Sequence, residues 1–148
     1  MRHRLVFVAA GLLGLLLVAQ LVPYGCDHGN PRPSRTARFG SAATRALVAD
    51  ACADCHSYDT RWRWYSNIAP ASWLVQRDLD EGRSSLNFST WGRPQPDVRE
   101  VVDQVLSGSM PPLQYKLAHP SARLTQAQRE RLADGLRRTY AADPPPGQ

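Results

Sequence analysis

Lysine is nearly missing from this sequence: Lys116 is its one lysine, and arginine supplies the other basic side chains. Methionine is almost as scarce, since Met110 is the only one beyond the initiator, and cysteine occurs three times. The net charge is +5 for the whole chain, and setting aside Arg2 and Arg4 leaves 16 basic and 13 acidic residues, a surplus of three. So small and dispersed a charge gives nucleic acid no footprint. No stretch alternates apolar and polar residues as a half-buried strand would. No internal repeat is present, and no paired carboxylates or Ser/His/Asp set stands near the one cysteine motif. Those absences leave an all-α chain of 148 residues, long enough for a single domain with its own core.

What is present centres on Cys52-Ala53-Asp54-Cys55-His56. Two cysteines separated by two residues and followed at once by histidine form the attachment signature of a c-type haem. On about one helical turn both thiols project to one side, where each can form a thioether to a porphyrin vinyl group. His56 then lies beneath the iron as proximal ligand. Zinc and a dithiol redox pair are the alternatives. A closed zinc site needs four ligands, and the remaining cysteine, Cys26, is far upstream. A thioredoxin-like pair belongs in a βαβ context that is not visible here.

The N-terminal end has a different composition. Residues 1–4 are basic, and residues 5–22 are apolar apart from Gln20. This run of 18 lies within the range of about 17–25 residues that spans a bilayer as a helix. No small-x-small cleavage site follows it, which favours an uncleaved signal anchor over a cleaved signal peptide. Arg2 and Arg4 precede the segment while Arg32, Arg35 and Arg38 follow it, so basic residues do not decide its orientation.

The expected divisions are an anchor at 1–24, a tether at 25–38, a haem domain at 39–141 and a disordered tail at 142–148. Cys26 falls in the tether. A lipoprotein acceptor would want an apolar residue three positions earlier, where Pro23 stands, so a free thiol is expected. Within the domain, Phe39, Ala43 and Leu47 recur at helical spacing behind Ser41 as N-cap, predicting a helix that runs into the haem motif. Residues 57–69 are expected to form a loop. Pro70 opens a helix over Ala71, Leu74, Val75 and Leu79 that Gly82 is expected to end. After a second loop to Pro96, Val98, Val101, Val102, Val105 and Leu106 make the clearest amphipathic stripe, closed by Gly108. Thr125 and Gln128 form a capping box ahead of Leu132, Leu136 and Tyr140.

A six-coordinate haem needs a second axial ligand. Met110, in Gly108-Ser109-Met110-Pro111-Pro112, is the candidate, with prolines stiffening the loop that holds a weak thioether ligand. His119 is the competitor, while core packing and surface hydrogen bonding are the ordinary roles of such residues. Trp62, Trp64, Tyr65 and Trp73 are candidates for the apolar wall around the ring, with Arg61 or Arg63 near its propionates. Core aromatics and surface arginines are the plain alternatives. A carbonyl between Ile68 and Pro70 is a candidate acceptor for the second ring nitrogen of His56.

With these residues in view, the chain resembles the bacterial haem-binding domain family, membrane-anchored proteins related to small mono-haem c-type cytochromes. The resemblance extends over most of residues 20–137. It is carried by Leu21-Val22-Pro23-Tyr24-Gly25, Cys52-Ala53-Asp54-Cys55-His56, Trp64-Tyr65-Ser66-Asn67-Ile68-Ala69-Pro70, Ser72-Trp73-Leu74, Glu81-Gly82-Arg83, Leu86-Asn87-Phe88-Ser89 and Met110-Pro111-Pro112. It implies one covalent haem c at Cys52 and Cys55, with His56 proximal and Met110 in the matching methionine-proline-proline segment. Cys26 departs from the family pattern, in which a charged residue is expected after Tyr24-Gly25. The resemblance also implies haem attachment outside the cytoplasm, hence a single-pass anchor in the cytoplasmic membrane with the haem domain on its extracytoplasmic side.

The expectation is therefore a small cytochrome c-like helical domain around one haem, carrying single electrons between redox partner proteins rather than acting as an enzyme. The rivals are a gas or redox sensor with a labile Met110, and a small haem peroxidase using His119.

Overall fold

The computed structural model describes all of residues 1–148. Seven α-helices and two short 3₁₀ turns follow one another with no β-strand. The helices are α1 (Arg2–Ala19), α2 (Ala42–Ala51), α3 (Ala53–His56), α4 (Ala71–Ser85), α5 (Val98–Leu106), α6 (Leu113–Ala118) and α7 (Gln126–Ala142). The 3₁₀ turns span Trp64–Asn67 and Pro120–Ala122. The chain divides into two compact units, residues 1–29 with 61–80, and residues 30–60 with 81–148.

In the first unit, α1 buries none of its residues and is long and apolar enough to cross a membrane. Its end is fixed by Gln20. The side-chain amide donates to the Ala69 carbonyl at 3.0 Å and accepts from the Ala69 N–H at 3.0 Å, reproducing a backbone pair. His28 stacks on Trp62 with centroids 4.3 Å apart and contacts the Ser66 carbonyl through Nε2 at 3.0 Å. Gly25 has φ +79°, and a Cβ there would collide with the Ser72 carbonyl.

The second unit has its core between α2, α5 and α7. Val48, Val102, Val105, Leu132, Leu136 and Tyr140 are all buried in it, the valine stripe of α5 and the periodic face of α7 meeting as their spacing predicts. Burial of each such aliphatic side chain is worth about 1.5–3 kcal/mol. The Thr125–Gln128 capping box is formed with both of its bonds, and Ser41 caps α2 by accepting from the Thr44 N–H. Asp97 caps α5 by accepting from Arg99 N–H at 2.7 Å. Gly135 lies against Thr44, whose side chain occupies the space a Cβ would take.

Residues 35–38 of the expected tether, and residues 143 and 145 of the expected tail, are tied to the second unit. Within the expected tether, Arg35 bridges to Thr90, and the Ala37 N–H donates to the Phe88 carbonyl at 2.9 Å. At the other end, the Asp143 carbonyl accepts from the Trp91 indole at 2.6 Å, and its carboxylate pairs with Arg35 and the Arg38 N–H. Pro145 is fully buried. Proline-rich composition suggested disorder, but a wholly enclosed Trp91 needs an acceptor for its N–H, and residue 143 supplies it.

Candidate haem site

The haem motif is built on a break between helices. Cys52 leaves the helical region (φ −127°, ψ −40°), so α2 stops at Ala51 and α3 begins afresh. The Cys52 carbonyl accepts from the amides of Cys55 at 3.2 Å and His56 at 2.9 Å, closing a single turn. Ser57 Oγ and Thr60 Oγ1 donate to the carbonyls of Ala53 and Asp54, both at 2.7 Å, and so end it. One continuous helix through the motif was expected; a capped single turn carries it instead.

His56 is held from the far end of α4. Its Nδ1 lies 3.0 Å from the Gly82 carbonyl and 3.0 Å from the Leu86 carbonyl. Both partners only accept, so Nδ1 carries the hydrogen and Nε2 carries the lone pair. The acceptors are therefore these two carbonyls rather than one between Ile68 and Pro70. Burial pushes the imidazole pKa below its usual value, against the opposing pull of the Leu86 and Gly82 carbonyls. The His56 carbonyl in turn accepts from the Phe88 N–H at 2.8 Å.

Gly82 makes this arrangement possible. A Cβ at that position would lie 2.6 Å from the Cys55 carbonyl oxygen and 3.0 Å from the Cys55 Cβ. The sequence suggested a helix stop at Gly82, but α4 continues to Ser85 and the residue serves as a close contact with the motif. Neither Cys52 nor Cys55 is in a disulfide. Burial and the neighbouring Cys55 raise the Cys52 thiol to about 12.

Three neighbouring residues were not legible as part of the site. Asp54, between the two cysteines, is buried and accepts from the Tyr115 hydroxyl at 2.6 Å. Arg83 donates to the Ser57 carbonyl and to Thr60 Oγ1, each at 3.1 Å, and its guanidinium lies 5.1 Å from the Tyr58 ring centre. These pairs are 61, 26, 23 and 25 positions apart, and no local pattern announces them. The motif's acidic residue and the arginine after Gly82 were the only hints.

Met110 lies in the same unit as the motif, beyond α5 and Gly108, whose φ of +75° turns the chain. Its N–H donates to the Gln104 carbonyl at 3.0 Å, Lys116 Nζ donates to the Gly108 carbonyl at 3.0 Å, and the side chain is 41% exposed. His119 is buried, stacks on Tyr115 with centroids 3.9 Å apart, and has Nδ1 3.0 Å from the Tyr115 carbonyl. Trp62, Trp64, Tyr65 and Trp73 all belong to the first unit. The indole N–H groups of Trp62 and Trp73 are buried there without an acceptor.

The donor set suits haem iron better than zinc. Nowhere do three His, Cys, Asp or Glu side chains gather as metal ligands, whereas a structural zinc needs four donors. With Nδ1 locked by the two carbonyls, the Nε2 lone pair of His56 is the one left for a ligand. Neither curated proteins nor solved structures give a match to the chain. A family model described as a haem-binding domain does match, over residues 14–138, so the chain belongs to the haem-binding domain family.

Proposed function

We propose that this haem-binding protein is a c-type cytochrome, anchored in the cytoplasmic membrane by α1, that passes single electrons between redox partners on the extracytoplasmic side. The observation that carries the reading is the double carbonyl hold on His56 Nδ1, one residue after a thiol pair on the same capped turn. In this reading Cys52 and Cys55 would hold the haem covalently, His56 would ligate its iron through Nε2, and Met110 would supply the second ligand from its loop. The bound haem would supply a one-electron iron couple.

The chain's own residues do the rest. Gly82 and Leu86 fix the ring plane of His56 and raise its basicity as a ligand. Arg83 and Asp54 tie the motif turn to its surroundings. The buried, unpartnered indole N–H groups of Trp62 and Trp73 are donors within the first unit, suited in type to carboxylates.

The test is the spectrum of the ferrous protein, made with a c-type maturation system, before and after CO, together with haem retention on a denaturing gel. Retained haem and a sharp low-spin spectrum insensitive to CO support the carrier. Rapid conversion to a CO adduct would replace it with a sensor or an enzyme. Haem lost on denaturation would remove covalent attachment. Met110→Ala is expected to open the wild-type spectrum to CO, and His119→Ala is not.

A further inference from the structure

The apolar surface of the first unit extends beyond α1. Leu21, Val22 and Tyr24 follow the helix and are exposed, and Trp64, Ile68 and Leu74 are exposed in the second stretch of the unit, Trp64 by 76%. Val22, Tyr24, Trp73, Leu74 and Arg77 line one open groove. An aromatic and aliphatic surface of this kind marks an interaction site rather than an ordinary solvated face.

Gln20 fixes where that surface lies relative to α1. A helix of 18 residues is about 27 Å long, close to the hydrocarbon thickness of a bilayer. Gln20, the residue that ends it, therefore stands where hydrocarbon gives way to headgroups. Its amide pairs with both backbone groups of Ala69, so Ala69 is held at that same depth. Ile68 and the turn Trp64–Asn67 directly precede it, and α4 with Leu74 directly follows.

We infer that the exposed apolar side chains of residues 64–74, with Val22 and Tyr24, form an interfacial belt that lies in the bilayer surface and contacts phospholipid directly. Trp and Tyr at the headgroup level are the side chains such a belt uses, with their apolar bodies inward and polar tips in the wet layer. Arg63 is exposed immediately before Trp64, and a basic side chain there suits an anionic headgroup, while the acidic Asp78 and Asp80 lie farther along α4. The belt makes α1 more than a tether, because the unit it carries is seated on the membrane at two places. This inference rests on the anchor reading of α1.

The test uses the full-length haem-loaded protein at one copy per nanodisc. The bilayer contains phosphatidylglycerol and a share of phospholipid bearing a photoactivatable diazirine high on its acyl chain. Adducts are mapped by mass spectrometry. The expected result is labelling of α1 and of residues 64–74, the latter about tenfold above α7. The double variant Trp64→Ser, Ile68→Ser is expected to lose most of the labelling at 64–74 while α1 stays labelled. Labelled α1 with residues 64–74 no higher than α7 would overturn the belt and leave the anchor standing, and so would a double variant labelled like the wild type. Unlabelled α1 would overturn anchor and belt together.

Discussion

The hydroxyl of Tyr115 donates to Asp54 Oδ2 at 2.6 Å, joining the turn that carries both haem-motif cysteines to the helix that begins three residues after Met110. A bond to a buried carboxylate is worth about 1.5–3 kcal/mol, and Asp54 is 5% exposed. Tyr115→Phe removes the donor and keeps the ring stacked on His119. The unfolding free energy should fall by about 1.5–3 kcal/mol. If Met110 is the second ligand, the same variant should also bind CO faster in its ferrous form, because the loop before α6 has lost its tie to the motif. Chemical denaturation and CO stopped-flow measure the two effects separately.

Gly82→Ala tests the close approach between α4 and the motif. The added methyl would meet backbone, the Cys55 carbonyl at 2.6 Å, which cannot swing aside as a side chain could. Moving either partner shifts the two carbonyls that hold His56. A loss of about 1–3 kcal/mol in stability is expected, along with reduced haem incorporation per chain. Gly11→Ala, which meets nothing within 4 Å, should match the wild type in haem content. Haem-to-protein ratio after purification reads this directly.

Cys52 gives the haem-free protein a distinct pH response. With its thiol at about 12, the thiolate fraction at pH 8 is on the order of 10⁻⁴. Iodoacetamide at pH 8 should therefore modify the exposed Cys26 well before Cys52 in the folded chain. The same shift sets a stability trend. Between the ordinary thiol value of 9.0 and about 12, the folded chain holds a proton that the unfolded chain has released. Stability from this group is thus complete below pH 9 and declines as pH rises toward 12. Peptide mapping after timed alkylation, and denaturation at pH 8 and 10, check the two parts.

These relationships explain what the sequence disclosed. Spacing alone located α5 and α7, because Val101, Val102 and Val105, and Leu132, Leu136 and Tyr140, obey the period of a helix with one buried face. Local chemistry located the caps at Ser41 and Thr125. The Cys52–His56 motif was legible because its residues are adjacent in the chain. What held the motif in place was not, since Gly82, Leu86, Arg83 and Tyr115 reach it across 23 to 61 positions. Glycine was the misleading residue: at position 82 it marks a contact within a helix, whereas at 108 it turns the chain.

Asp143 provides the sharpest separation of stability from function. Its carboxylate meets Arg35 and the Arg38 N–H while its carbonyl takes the indole hydrogen of Trp91. Asp143→Ala deletes the carboxylate contacts but spares the carbonyl, and should cost about 1–3 kcal/mol. Truncation after Ala142 removes the carbonyl and the buried Pro145 as well. It leaves the indole of a fully enclosed Trp91 without its acceptor, so the truncated chain should be less stable than Asp143→Ala. Neither change touches Cys52, Cys55, His56 or Met110, so the haem spectrum of whatever folds should stay that of the wild type. A tail that served only as a solvated end would leave the unfolding midpoint unmoved in both variants.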